Sequence, residues 1–115
     1  MSHPIVHAEI RSSDPDATRA FFGELFGWTY PTEGAFPGYT FVQPAFEGAL
    51  HTAIGPTQGG APTALFFVGV EDVEATLAAA ERLGGRTIQP AQQVPGVTFG
   101  VFEDPQGQII GVAAS

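Results

Sequence analysis

The chain has 115 residues, 43% hydrophobic and 14% charged, which suits one domain with a real core and excludes a disordered chain. It contains no cysteine and no lysine, so disulfides, thiolate metal sites, thiol nucleophiles and Schiff-base chemistry are all excluded. Four arginines against 12 acidic residues give a net charge of −8, no apolar run approaches the ~18 residues of a membrane span, and no signal-peptide pattern opens the chain. The expectation is a soluble cytoplasmic protein with neither a nucleic-acid nor a membrane partner.

The first predicted element is a strand in which Val6, Ala8 and Ile10 alternate with His7, Glu9 and Arg11, one face apolar and the other polar. A helix follows, capped by Ser13 or Asp14, with Pro15 in its first turn and a core stripe of Ala17, Phe21 and Leu25. Phe21, Phe22 and Phe26 follow helical spacing and read as core, as does Trp28. Three strand-like stretches come next, roughly Trp28–Tyr30, Tyr39–Gln43 and Ala49–Ile54. A Gly/Pro-rich linker occupies about 55–62.

The pattern then repeats. A strand with both faces apolar, Leu65 to Val70, leads into a helix capped by Asp72, with Val73, Leu77 and Ala80 inward and Gly84-Gly85 at its end. Strands at Arg86–Ile88, Val97–Phe102 and Gln108–Ala113 follow, the last two joined by a tight Asp104-Pro105-Gln106-Gly107 turn. A shift of 58 positions superposes Asp14, Ala17, Thr18, Ala20, Leu25, Gly27 and Thr29 on Asp72, Ala75, Thr76, Ala78, Leu83, Gly85 and Thr87. The same shift carries Pro37-Gly38 onto Pro95-Gly96, and Thr40 and Phe41 onto Thr98 and Phe99. Two βαβββ modules, about 5–54 and 63–115, therefore make one α+β domain. A pseudo-twofold groove between the modules is the expected ligand site, and function is expected where the copies differ.

The segments SSDPDATRAFFGELFGW and VEDVEATLAAAERLGGR, with the closing FEDPQGQIIGV, resemble the vicinal oxygen chelate superfamily, which includes glyoxalase I, extradiol dioxygenases, fosfomycin-resistance enzymes and bleomycin-binding proteins. The resemblance runs from about Ile5 to the end. It implies a glyoxalase/bleomycin-resistance fold, a concave mixed sheet and a homodimer. In metal-dependent members it implies four ligands, usually His or Glu, from the first and fourth strands of each module. Those positions hold His7, Ala53, Leu65 and Gly111 here, and only His7 can donate to a metal. No cofactor is expected, although an unorthodox His7/Glu9/His51 ion site stays open.

Candidate site residues follow from what the modules do not share. His7 and Glu9 form a polar pair in an otherwise apolar groove, suited to acid–base work or ligand orientation. Arg11 continues that face, to pair with Glu9 or to meet a ligand carboxylate. Tyr39, His51, Leu65, Phe67, Phe99 and Ile109 are the remaining candidate ligand contacts. No Ser-His-Asp set, P-loop or GxGxxG is present. The leading expectation is a metal-independent protein that binds a small, largely apolar molecule, as in antibiotic or metabolite sequestration. The alternative is a glyoxalase-like lyase or isomerase, either metal-free with His7 and Glu9 as acid–base pair or with an unorthodox metal site.

Overall fold

The computed structural model describes residues 2–34 and 36–115. It divides into two compact units, one of His7–Ala64 and one of Leu65–Ser115 together with the first residues up to Val6. In chain order the elements are β1 (Ile5–Ser12), α1 (Pro15–Phe26), β2 (Thr32–Glu33), β3 (Thr40–Phe41), β4 (His51–Pro56), β5 (Thr63–Gly69), α2 (Val73–Arg82), β6 (Arg86–Val94), β7 (Val97–Glu103) and β8 (Ile109–Ala114).

The duplication is carried into topology. Strands of the first module lie in the order β2-β3-β4-β1, and those of the second in the order β6-β7-β8-β5. In each module the first and last strands pair in parallel, β1 with β4 and β5 with β8, and the other pairs are antiparallel. Glu9 faces Ala53 across one parallel pair and Phe67 faces Gly111 across the other, both displaced by the same 58 positions. Gly38 and Gly96 both take positive φ, +80° and +86°, at the repeated Pro-Gly corner.

The helix caps follow the sequence. Asp14 accepts from the Ala17 amide at 3.2 Å, and Asp72 accepts from the Ala75 amide at 3.0 Å. Val73 and Leu77 of α2 are buried with Val112, and Val68, Phe102 and Ala114 pack against them. The Asp104 turn is held by its own side chain, whose Oδ1 accepts from the amides of Gln106 at 2.9 Å and Gln108 at 2.8 Å.

Three expectations are corrected. The stripe of Ala17, Phe21 and Leu25 is exposed, Phe21 at 60% and Leu25 at 57%, and no residue of α1 is buried. The half-buried face is Thr18, Arg19, Phe22 and Gly23, so periodicity located a face without saying which way it pointed. Phe22 instead leads an aromatic cluster, stacked on Phe26 at 5.7 Å and tilted against the half-buried Trp28 at 5.4 Å, and Phe26 is itself 58% exposed. Trp28–Tyr30 is not a strand. The Tyr30 hydroxyl donates back to the Arg19 carbonyl at 2.9 Å, and the ladder with β3 forms only at Thr32 and Glu33. Finally, β6 runs on to Val94 through Pro90, which falls in a register irregularity of a strand at the end of the order, where a missing N–H is tolerated.

Candidate binding site around His7 and Tyr39

Alternation along β1 puts His7, Glu9 and Arg11 on one face, and this polar face is the buried one. Glu9 is 4% exposed and Arg11 6%. Two charges taken from water need close partners, and these have them. The Arg11 Nε donates to Glu9 Oε2 at 2.5 Å, the pairing considered for Arg11 from the sequence. On the other oxygen, Tyr39 donates its hydroxyl proton to Glu9 Oε1 at 2.6 Å. The Tyr39 oxygen also lies 2.9 Å from His7 Nε2. His7 Nε2 stands 3.7 Å from Glu9 Oε1, beyond hydrogen-bond length but close enough for charge to matter.

Tyr39 reaches Glu9 because small residues clear its path. Arg11 is paired with Gly55 across β1 and β4, and Glu9 with Ala53; Phe41 of β3 is paired with that same Ala53. Tyr39 precedes β3 and its ring lies over Gly55, where a Cβ would stand 2.5 Å from Cδ2. On its other side a Cβ at Gly34 would stand 2.5 Å from Cδ1. The ring is thus clasped between two glycines, and Phe41 meets it edge-on at 5.5 Å. Its backbone is tied as well: the Gly34 amide donates to the Tyr39 carbonyl at 2.7 Å, and the Tyr39 amide donates to the Phe36 carbonyl at 3.1 Å.

Arg19 completes the support. Its guanidinium donates to the Gly38 carbonyl at 2.9 Å and to Thr40 Oγ1 at 3.1 Å, gripping the residues on either side of Tyr39. Sequence reasoning treated Arg19 only as a cation and did not single out Gly34 or Gly55. The one available signal for these was the pair of smallest side chains, Ala53 and Gly55, alternating along β4.

These contacts set the charge states. Burial pushes the Glu9 carboxyl up, but the His7 imidazole, the Tyr39 hydroxyl and the Arg11 guanidinium outweigh it and hold the group below its ordinary value. Burial, then the charge and hydrogen bond of Glu9, push the Tyr39 phenol well above its ordinary value against a weaker pull from Arg11. Glu9 is therefore an anion with both oxygens engaged, and Tyr39 is a neutral donor.

The second module fills the matching places differently. Leu65, Phe67 and Phe99 stand where His7, Glu9 and Phe41 stand in the first, and they are 6%, 3% and 7% exposed. The Phe67 ring covers Gly111, where a Cβ would lie 2.3 Å from it, and meets Phe99 edge-on at 6.4 Å. Ile109, the first residue of β8, is half-buried. His51 is exposed at the start of β4, beside His7 in register, and takes no part in the chain of hydrogen bonds.

Of the four positions that the resemblance implies for a metal, Ala53, Leu65 and Gly111 offer no donor, and Ala53 is fully buried. Glu9 has both oxygens committed to Tyr39 and Arg11. No group of three His, Cys, Asp or Glu among the described residues is arranged to hold an ion. This donor set does not fit a divalent metal.

Residues 4–112 match the family model of the Glyoxalase/Bleomycin resistance protein/Dioxygenase superfamily. The chain belongs to that superfamily. Among curated superfamily relatives, "Putative glyoxylase CFP32" of Mycobacterium bovis (strain ATCC BAA-935 / AF2122/97) is 29% identical over 111 residues, and the protein of the same name from Mycobacterium tuberculosis (strain CDC 1551 / Oshkosh) matches equally. The match covers 94% of this chain, which spans only 42% of the length of these relatives. Among solved structures, a methylmalonyl-CoA epimerase in complex with methylmalonyl-CoA and NH4+ is similar at a TM-score of 0.66 and 19% identity, covering all of this chain and 96% of that one. A superfamily member from Vibrio splendidus 12B01 is similar at a TM-score of 0.65 and 12% identity, covering 99% and 100%. At these identities the structural likeness carries the α+β fold of the glyoxalase type and nothing of the reaction. No helix among the described residues is long and apolar enough to cross a membrane.

Proposed function

We propose that this superfamily member binds a small, largely apolar molecule with a polar handle at the His7 end of the Arg11–Glu9–Tyr39–His7 chain, without a metal ion. The observation that carries this reading is the commitment of Glu9 on both oxygens, to Tyr39 at 2.6 Å and to Arg11 at 2.5 Å. A carboxylate so engaged, held below its ordinary pKa, is a poor proton acceptor and a good anchor. Only His7, with 17% of its side chain exposed, offers solvent a polar group of this chain. Stoichiometric sequestration of an antibiotic or metabolite suits such a site. A homodimer belongs to the same reading, supported by the exposed Phe21 and Leu25 on α1. The location of the protein is taken to be the cytoplasm.

One observation favours a second reading, a metal-free isomerase or lyase. The imidazole of His7 is backed by a phenol and a carboxylate, and in that case His7 moves the proton while Glu9 orients rather than transfers. The similar fold of an epimerase that holds methylmalonyl-CoA leaves room for an acyl thioester as substrate.

The deciding experiment is incubation of the protein with a library of apolar small molecules carrying one polar group, followed by mass analysis of what is retained. Recovery of a stoichiometric, chemically unchanged compound, lost in His7→Ala, is expected for binding. Catalytic conversion of a retained compound would overturn sequestration in favour of the second reading.

A further inference from the structure

Each module carries a phenylalanine at the same place, Phe41 in β3 and Phe99 in β7, 58 positions apart. Thr40 meets Arg19 of α1, and a Cβ at Gly100 would meet Leu77 of α2. Alternation therefore turns Phe41 and Phe99 away from the helices. In the second module the ring of Phe67 lies over Gly111 and meets Phe99 edge-on, 6.4 Å apart and inclined by 72°. In the first module the place of Phe67 belongs to Glu9, whose carboxylate is drawn to Tyr39 and Arg11. His7 of β1 supplies the edge-on ring instead, reaching across β4 to Phe41 at 6.3 Å and 69°. Strands on either side of a third stand roughly 9–10 Å apart, so these two rings lean toward each other. The buried methyl of Ala53, partner of Phe41 in register, leaves them the room to do so. Tyr39 also meets Phe41 edge-on, at 5.5 Å. Phe41 nonetheless stays half-buried where Phe99 is buried.

We infer that Phe41 determines specificity at this site, and that the apolar part of the ligand is a planar aromatic ring, seated against Phe41 beside His7 as Phe67 is seated against Phe99. The face of an aromatic ring is negative and its edge positive. Between two rings inclined by 69°, a flat ring can set its edge against one and its face against the other. A saturated ring offers only C–H groups to both. The inference rests on the binding reading above and adds the class of ligand to it.

Benzamide and cyclohexanecarboxamide share one amide handle and differ in the ring, planar in the first and saturated in the second. Nuclear magnetic resonance of protein with labelled phenylalanine and histidine follows their titration, with Phe41→Leu and His7→Ala assigning the signals of those two residues. Benzamide is expected to move both signals. It is expected to bind about twofold to tenfold more tightly than cyclohexanecarboxamide, the factor that an edge-on or offset ring pair contributes beyond its area. Phe41→Leu keeps the wall apolar, and there the two compounds are expected to bind alike, cyclohexanecarboxamide near its wild-type affinity.

Equal or tighter binding of cyclohexanecarboxamide to the wild type overturns the inference and leaves the binding reading at His7 standing. That result needs no variant, so a failure of Phe41→Leu to fold does not shelter the inference. A preference for benzamide undiminished in Phe41→Leu also overturns it. No movement of the Phe41 and His7 signals with either compound overturns the binding reading and the inference together.

Discussion

The phenol of Tyr39 crosses the bare backbone of Gly55 to place its hydroxyl 2.6 Å from a carboxylate oxygen of Glu9, 30 residues away in sequence. The contact neutralises no charge by itself. It holds the carboxylate that Arg11 balances and meets the half-buried imidazole of His7, so several properties of the protein depend on it.

Steric dependence is the most direct consequence. Gly55→Ala adds a Cβ that would stand 2.5 Å from Tyr39 Cδ2, on backbone that cannot easily retreat within a paired strand. A loss of about 1–3 kcal/mol is expected, as for overpacking elsewhere. In a Tyr39→Ala background the same substitution should cost far less, and denaturant titrations of the four proteins of this cycle measure the difference. Equal costs in both backgrounds would mean that the ring is not what Gly55 accommodates.

Charge compensation makes a second prediction. Arg11→Met leaves Glu9 buried without its cation and is expected to destabilise by about 3–5 kcal/mol. Glu9→Met combined with Arg11→Met removes both charges and should cost less than Arg11→Met alone. Urea midpoints at a common slope give the comparison.

Stability against pH follows from the two shifted groups. Glu9 is lowered from an ordinary value of 4.5, so its contribution is complete above that pH and is lost as pH falls through the lower native value. Tyr39 is raised from an ordinary value of 10.0, so its contribution is complete below that pH and is lost as pH rises beyond it toward the native value. Unfolding free energy should therefore fall at both ends. The acid limb should flatten in Glu9→Gln and the alkaline limb in Tyr39→Phe; an acid limb of unchanged slope in Glu9→Gln would exclude Glu9 as its source.

The exposed face of α1 carries a prediction about assembly. Ala17, Ala20, Phe21 and Leu25 line a shallow depression on that helix, with Glu24 at its side. If a second copy covers it, Phe21→Asp should yield a monomer with an unchanged circular dichroism spectrum. Sedimentation equilibrium distinguishes this from a wild-type chain that is already monomeric, which would remove the dimer from the account.

Much of this architecture was legible in the chain. The 58-residue repeat carried the βαβββ order twice, Ser13-Asp14 and Asp72 announced the helix starts, and the Asp104 turn was readable from its residue types. These are local signals, or repeats of them. The inward face of α1 was not legible, because Ala17, Phe21 and Leu25 and the half-buried Thr18, Arg19, Phe22 and Gly23 both satisfy a helical period. Of the site, His7 and Glu9 were read as a pair, and Arg11 as a partner of Glu9 or of a ligand, from parity along β1 and from contrast with the apolar second copy. The link that Tyr39 makes between His7 and Glu9 was not legible, since it depends on strand register and on the absent side chains of Gly34 and Gly55.

The central claim, a small-molecule site at His7 that needs no metal, is tested most directly by native mass spectrometry before and after addition of nickel, zinc or ferrous ions, in wild type and His7→Ala. The account predicts a mass unchanged by any of the ions, with any bound organic mass confined to the wild type. One metal ion per chain, bound by the wild type and lost in His7→Ala, would contradict it.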